Sequence, residues 1–176
     1  LRRVSILADG RHIEHGLKEL LACKGVHLGL HFNLTQNQSP YMVWRRSKAI
    51  LPQVPGEYLR QMQFLNDIGV RPTYLDGHHH VHCIPGVIEA LAPLLVEGGI
   101  SEVRCPWDWR LLFSRRAPLA WMAWGFRKRI RKLGFVASPF RYPTLGELAD
   151  PPRLFHRLSR ETPTAEVICH PATRAD

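Results

Sequence analysis

The stretch 74–82 brings together several side chains that can bind a metal. Four imidazoles and one carboxylate fall within these nine residues, from Asp76, His78, His79, His80 and His82. Imidazole is the commonest protein metal ligand, and an Asp can either add an oxygen or orient a ring through its second nitrogen. A His-rich surface loop is the alternative. We favour a metal site because a short β-like run, 71–75, leads into the cluster, and α/β folds place their chemistry where strands end.

A second segment, 27–35, alternates strictly along its length. One side of the alternation is Leu28, Leu30, Phe32 and Leu34, and the other is His27, Gly29, His31 and Asn33. A period of two predicts a strand with two different faces. In a barrel the apolar face packs against outer helices and the other points inward, which would present His31 near the mouth. An edge strand with one face in water is the alternative.

Around these two segments, strand-like and helix-like runs alternate. Strands are expected at 4–8, 27–35, 73–76, 102–106 and 165–169. Helices are expected at 12–24, at 57–68, from 85 to the Gly pair at 98–99, at 117–133, and at 145–160, where prolines interrupt the last one. A loop is expected at 36–55. Nearly every strand ends in a polar or ligand-capable residue, and Asp9 and Arg104 are two of these. The pattern predicts an α/β fold, a parallel sheet or (β/α) barrel with its chemistry at one rim.

At that rim the sequence would assemble His31, Asp76, His78, Arg104 and His170. Two His with one carboxylate form a common open site for a divalent metal, which lowers the pKa of water and polarises a carbonyl. A further His, not bound to the metal, can protonate a leaving amine. These are the parts needed to hydrolyse an amide. No Gly-rich phosphate loop and no Gly-x-Ser-x-Gly motif is present, so kinase and serine-hydrolase functions lack support.

The composition describes one globular domain over 1–176, with 45% apolar residues and no apolar run as long as a membrane span. The net charge is +9, from 24 basic and 15 acidic residues, and many basic residues fall within 110–132. Trp121, Trp124, Phe126, Ile130 and Leu133 interleave with them at roughly helical spacing. We therefore favour an amphipathic surface helix over a nucleic-acid or anionic-membrane site, and no nucleic-acid recognition motif accompanies the charge.

The four cysteines, Cys23, Cys83, Cys105 and Cys169, include no Cys-x-x-Cys pair. A finger-type zinc site is therefore not expected, and a chain of this length does not need disulfides. Buried thiols in a reducing cytoplasm fit this usage.

Five blocks of the sequence resemble successive blocks of the YdjC-like carbohydrate deacetylases, a family that includes chitooligosaccharide and hopanoid-associated deacetylases. The blocks are 5–10, 29–35, 71–82, 103–106 and 166–171. The Gly-Leu-His-Phe-Asn-Leu-Thr block at 29–35 and the Asp-Gly-His-His-His-Val-His block at 76–82 are the specific ones. Their order and approximate spacing match across nearly the whole chain.

The resemblance implies a barrel related to the NodB-like barrel of polysaccharide deacetylases. It implies hydrolysis of an N-acetyl group from an acetamido sugar or oligosaccharide with a divalent metal, Mg or Zn. The family's metal histidines fall on His31 and His78, and His170 is the expected acid. Arg104 would steady the substrate or a catalytic carboxylate, Asp76 would orient a ligand, and the other three His of the cluster would be supporting or loop residues.

One departure from the family concerns an early strand that ends in an Asp-Asp pair, one residue binding metal and the other acting as base. The sequence has no such block, and Asp9 falls where the family usually has Asn before Gly. We therefore expect an incomplete barrel, truncated at both ends of the domain, that binds metal weakly and deacetylates poorly on its own. A partner or a second copy, as in a homodimer, would cover the gap. A non-catalytic remnant that binds sugar or metal is the alternative function.

Overall fold

The computed structural model describes residues 3–10, 13–36, 38–107, 112–113, 117–138, 140–141, 150, 152–153, 156, 160 and 166–167. The predicted helix at 145–160 lies almost entirely outside the described residues. The predicted acid His170 also lies outside them. No helix in the described residues is both long enough and apolar enough to cross a bilayer.

The centre of the fold is a parallel sheet of five strands. The strands are β1 (Arg3–Ile6), β2 (His27–Phe32), β3 (Tyr74–Gly77), β4 (Glu102–Arg104) and β5 (Val136–Ser138). Their spatial order is the same as their order in the chain, and every neighbouring pair is parallel. The predicted α/β class is confirmed. A sequential order without reversal is the arrangement that a (β/α) barrel uses, so the sheet is compatible with the predicted barrel.

Helices connect successive strands of this sheet. They are α1 (Ile13–Ala22), α2 (Pro40–Arg45), α3 (Ser47–Ile50), α4 (Val54–Asp67), α5 (Val87–Glu97) and α6 (Ala117–Lys132), with 3₁₀ segments at Leu51–Gln53 and His78–Cys83. Two further short strands, β6 (Phe140–Arg141) and β7 (Glu166–Val167), pair with each other in parallel. The predicted last strand is thus present at 166–167.

One face of the five-stranded sheet carries the hydrophobic core. Leu30, Phe32, Leu75 and Val103 are fully buried there, together with residues of the helices such as Leu65, Ile88, Leu91 and Phe126. The alternation predicted for β2 explains this arrangement, because every second residue of a strand points to the same face. The opposite face is left for the polar residues of the strands.

Side chains on that polar face contact one another across intervening strands. Ser5 Oγ on β1 donates to Asp76 Oδ2 on β3 at 2.9 Å, although β2 lies between them. Arg3 on β1 pairs with Glu102 on β4, at 2.8 Å between Nη2 and Oε2. In a flat sheet β1 and β3 would be about 9.6 Å apart, since neighbouring strands are about 4.8 Å apart. The short side chains of Ser5 and Asp76 therefore meet because the polar face is concave.

The prediction of a loop at 36–55 is wrong, because most of this segment is helical. Ser39 caps α2, where its hydroxyl accepts a hydrogen bond from the Met42 amide at 3.3 Å, and Pro40 occupies the first turn. Pro55 lies in the first turn of α4, which begins three residues before the predicted start at 57. Proline is favoured in the first turn because that amide has no partner within the helix. The prolines that suggested a loop therefore begin helices.

The basic helix is confirmed as α6, but its apolar residues divide between two faces. Phe126 and Ile130 are fully buried, whereas Trp121 is 63% and Trp124 is 42% exposed. The small residues Ala120 and Ala123 complete the buried face, so the two tryptophans are not part of the core. Lys128 Nζ lies 3.6 Å from the Trp124 ring centroid, a cation–π contact on the exposed face.

Two further expectations need correction. The strand β5 was not anticipated, because it contains only three residues and follows directly after α6. Of the cysteines predicted to be buried, Cys83 and Cys105 are buried, but Cys23 is exposed.

Candidate functional site

The polar face of the sheet is organised around a contact between His31 on β2 and Asp76 on β3. These two residues are direct partners in the parallel register. The Nδ1 atom of His31 lies 2.6 Å from Asp76 Oδ2. Because an ionised carboxylate only accepts hydrogen bonds, the contact selects the His31 tautomer that is protonated at Nδ1. The lone pair of Nε2 is then left for another partner.

Asp76 is fully buried and is held by three further donors. Ser5 Oγ donates to Oδ2 at 2.9 Å, Arg104 donates to the same oxygen, and the Gly77 amide donates to Oδ1 at 2.6 Å. Burial by itself would raise the pKa of Asp76. The hydrogen bond from His31 and the positive charge of Arg104 outweigh burial and hold this pKa well below its usual range. Asp76 is therefore a carboxylate whose oxygens are already engaged by the protein, a geometry suited to orienting His31.

His78, at the start of the segment that follows β3, faces His31. Its Nδ1 lies 3.3 Å from His31 Nε2, and the two ring centroids are 5.3 Å apart with the planes at 78°. Two nitrogens bound to one cation at about 2.1 Å, with angles of about 90–110°, are about 3.0–3.4 Å apart. The observed separation therefore fits a cation shared by both rings. It equally fits a direct N–H···N hydrogen bond between them.

Among the residues that the structure describes, no third His, Cys, Asp or Glu joins these two to form a metal-binding group. His31 and His78 therefore account for only part of a coordination sphere. Asp9, predicted at the same rim, is paired with Arg60 instead, at 2.6 Å between Oδ1 and Nη2. His170 belongs to the part of the chain outside the described residues.

The segment after His78 has an unusual backbone. His79 has φ 49° and His80 has φ 58°, both in the left-handed region. A residue other than glycine pays about 1–2 kcal/mol for this conformation, and such strain tends to concentrate at functional sites. The His79 ring lies against the His78 ring, with 3.9 Å between centroids and the planes tilted by 55°. The turn therefore places two imidazoles side by side where β3 ends.

His82 is buried on the other side of this turn. Its Nε2 donates to the Arg104 carbonyl at 2.8 Å, and its ring packs edge-on against Phe126 at 5.2 Å between centroids. Its Nδ1 has no hydrogen-bond partner among the described residues and abuts Gly77, where a Cβ would lie 2.1 Å from it. Burial lowers the pKa of His82 to about 4, so the ring is neutral. His82 thus connects the ends of β3 and β4 to the interior of α6 and does not face the two candidate ligands.

Arg104 lies nearly buried at the end of β4. Its observed contact is with Asp76, the residue predicted to orient a ligand, and its predicted role towards the substrate or a catalytic carboxylate stays a prediction. The charge-assisted bond also fixes β4 against β3.

Two positioning residues were missed by the sequence analysis. Gln61 on α4 is fully buried and holds the backbone of Asn33, just after β2, from both sides. The Asn33 amide donates to Gln61 Oε1 at 3.1 Å, and Gln61 Nε2 donates to the Asn33 carbonyl at 2.7 Å. For Ser5, the other one, the sequence predicts a strand position and a place in the block 5–10 but no contact with Asp76. A polar residue inside an apolar strand, and one glutamine at a buried helical position, were the available signals.

The whole chain, residues 1–176, matches a family model described as YdjC-like protein. The chain is 33% identical over 108 residues to the carbohydrate deacetylase of Mus musculus. This alignment covers 57% of the chain and 31% of the mouse protein. The chain is 29% identical over 112 residues to the chitooligosaccharide deacetylase of Escherichia fergusonii. This alignment covers 54% of the chain and 44% of the bacterial protein. The chain thus matches less than half the length of either relative.

Proposed function

The chain belongs to the YdjC-like family, and from that premise we propose that it is a metal-dependent hydrolase that removes N-acetyl groups from an acetamido sugar. The observation that carries the proposal is the 3.3 Å separation between His31 Nε2 and His78 Nδ1. The similarity to a carbohydrate deacetylase and to a chitooligosaccharide deacetylase supports the reaction class and the sugar.

In this proposal His31 and His78 hold the divalent cation, Mg or Zn. When bound, such a cation supplies Lewis acidity to the acetamide carbonyl. Asp76 orients His31 by accepting from Nδ1 and so directs Nε2 towards His78. A carboxylate behind a metal-binding imidazole also raises the basicity of that imidazole.

The remaining roles concern charge and protons. Arg104 keeps Asp76 ionised through a charge-assisted hydrogen bond, and contact of Arg104 with substrate stays a prediction. His170 is the proposed acid that protonates the leaving amine. An imidazole suits this role because its ordinary pKa lies near neutral pH.

We propose further that the five strands form part of a (β/α) barrel of the NodB-like kind, with the site at its mouth. The sequential parallel order and the Ser5–Asp76 contact across β2 support a closed, inward-facing polar surface. A cytoplasmic location, and a second copy beside the first strand, remain proposals from the sequence.

A second candidate function is a sugar-binding or metal-binding remnant without catalysis. It is favoured by one observation: among the described residues, His31 and His78 have no third protein ligand beside them. The two functions differ in a measurable way, because only the hydrolase releases acetate.

The test is acetate release from N,N′-diacetylchitobiose by the complete gene product, with Mg²⁺ or Zn²⁺ added. The proposal expects metal-dependent release that His31→Ala and His78→Ala each reduce at least about a hundredfold, as loss of a ligand does to an active site. His27→Ala is the matched control, because His27 lies exposed on the same strand as His31, and it should retain activity. No release under any condition, with sugar or metal still bound, would establish the remnant instead.

A further inference from the structure

We propose that an aromatic groove beside His78 holds a pyranose ring adjacent to the sugar that is deacetylated, and so selects an oligosaccharide over a monosaccharide. The aromatic groove is lined by Pro40, Tyr41, Trp44, Arg45 and His79. This inference rests on the proposed function for its choice of ligand. The residues of α2 that it assigns have no role in the hydrolytic site described above.

The helix α2 presents the groove residues in one direction. Tyr41, Trp44 and Arg45 are spaced i, i+3 and i+4, which places them on a single helical face. Val43 points the other way and is fully buried, so it anchors the helix to the core. Ser39 fixes the start of the helix through its bond to the Met42 amide. The aromatic face is therefore held on a short but anchored element.

The exposure of the two aromatic rings indicates a binding surface. Tyr41 is 69% and Trp44 is 38% exposed, side by side on the same face. Single exposed apolar residues are ordinary, whereas neighbouring ones rimmed by polar groups mark binding sites. The groove is a shallow depression of about 480 Å³ that is open to solvent, and its volume is comparable to the roughly 300–1,000 Å³ of small-molecule sites.

The groove is continuous with the candidate metal centre. His79 forms one wall, and its ring centroid lies 3.9 Å from that of His78. The backbone of His79 is left-handed, with φ 49°. The His79 ring therefore both lines the groove and contacts His78, one of the two facing imidazoles.

The chemistry of the lining fits a sugar ring. A pyranose has an apolar face of C–H groups and a rim of hydroxyls, so it needs a flat aromatic surface with a few donors at the edge. Trp44 and Tyr41 supply the surface, and Arg45 and His79 supply N–H donors for hydroxyl or acetamido oxygens. A cavity with mostly apolar walls and a few polar groups is the usual form of a small-molecule site.

The experiment measures binding separately from hydrolysis. N-acetylglucosamine and N,N′-diacetylchitobiose are titrated calorimetrically into the complete protein carrying His78→Ala, with and without Trp44→Ala. Loss of one aromatic stacking partner is expected to weaken disaccharide binding about tenfold. Monosaccharide binding should change less than about twofold. Trp44→Phe, which keeps a ring, should recover most of the affinity, and Trp121→Ala on α6 is the control for loss of an exposed tryptophan.

The outcomes separate this proposal from the proposed function. If no acetate is released but disaccharide binding depends on Trp44, the groove proposal is supported and the proposed hydrolase function is contradicted. If acetate is released and Trp44→Ala binds the disaccharide as tightly as its parent, the groove proposal is overturned. Equal loss of monosaccharide and disaccharide binding, or tighter binding of adenosine monophosphate than of the disaccharide at the same groove, would also overturn it.

Discussion

The Nδ1 atom of His31 lies 2.6 Å from Asp76 Oδ2, between residues that are direct register partners on adjacent parallel strands. The contact joins two segments that are 45 positions apart in the sequence. It fixes the tautomer of His31 and leaves Nε2 facing His78. The chemistry proposed for the protein depends on this orientation, because an imidazole can offer a lone pair to a cation only from its unprotonated nitrogen.

Asp76→Asn should destabilise the protein strongly. The amide removes the negative charge that neutralises the nearly buried guanidinium of Arg104, and breaking a buried charge pair from one side costs about 3–5 kcal/mol. The measurement is the free energy of unfolding in denaturant at pH 7. Asp67→Asn is the matched control, since Asp67 is exposed at the end of α4, and it should change stability by less than about 0.5 kcal/mol. Equal stability of the two variants would contradict the assigned role of Asp76.

Gln61→Met should cost about 2 kcal/mol or more. The thioether has similar length but leaves the buried amide and carbonyl of Asn33 without the partners that Gln61 provides. Gln63→Met is the control on the same helix, because Gln63 is exposed and its Nε2 donates to the side chain of Asp67 at 2.6 Å. Chemical denaturation of both variants makes the comparison. A loss at Gln63 as large as that at Gln61 would show that the two-sided contact with Asn33 is not the cause.

Gly77→Ala and Gly125→Ala should have opposite effects. A Cβ at Gly77 would lie 2.1 Å from His82 Nδ1, so the buried ring or the strand must shift, at a cost of about 1–3 kcal/mol. A Cβ at Gly125 meets nothing within 4 Å inside α6, and alanine there should add about 0.5–1 kcal/mol of stability. Thermal unfolding of both variants measures the difference. A neutral result at Gly77 would mean that His82 is not held as described.

Acid should destabilise the folded protein through His82. Its pKa falls from the ordinary 6.5 to about 4 on folding, so between these values the unfolded chain takes up a proton that the folded protein does not. The free energy of unfolding therefore decreases as the pH falls through this window, by up to about 1.4 kcal/mol per pH unit. The stability contributed by Asp76 is lost only at more acidic pH, below its ordinary pKa of 3.8.

His82→Gln tests this assignment in denaturation curves recorded from pH 7.5 to 4.5. The variant should be less stable at pH 7 but should lose less stability with acid than the parent protein. Some slope will remain, because burial also lowers the pKa of His80 to about 4. The exposed His27 provides the control variant His27→Gln, which should keep the full slope. If His82→Gln keeps the parent slope, His82 does not titrate as described.

The sequence predicted the elements that carry a strong periodic signal. The alternation of β2 gave the correct assignment of Leu30 to the core and His31 to the polar face, and the strand ends of β3 and β4 brought Asp76 and Arg104 together. These predictions succeed because a strand has a fixed period of two and parallel strands end at one edge. The short helices before α4 were missed because prolines in a first turn resemble those in a loop.

Residues whose role depends on tertiary contacts could not be assigned from the sequence. The Ser5–Asp76 bond needs the curvature of the sheet, and the left-handed backbone of His79 needs the packing of the turn. The face of α6 was misjudged for the same reason, since Ala120 and Ala123 fill the core where the larger tryptophans were available. Ser5 and Asp76 are 71 positions apart in the chain, so no local pattern records their contact.

The central claim is that His31 Nε2 and His78 Nδ1 bind one divalent cation together. Nitrogen-15 NMR of the imidazole rings during titration with Zn²⁺ tests it directly, with resonances assigned from single His variants. At saturation both nitrogens should shift together with one equivalent of metal, His82 should not shift, and His31→Ala should abolish the shift at His78. Unchanged resonances at either His31 or His78, or a shift confined to His79 and His80, would contradict the account.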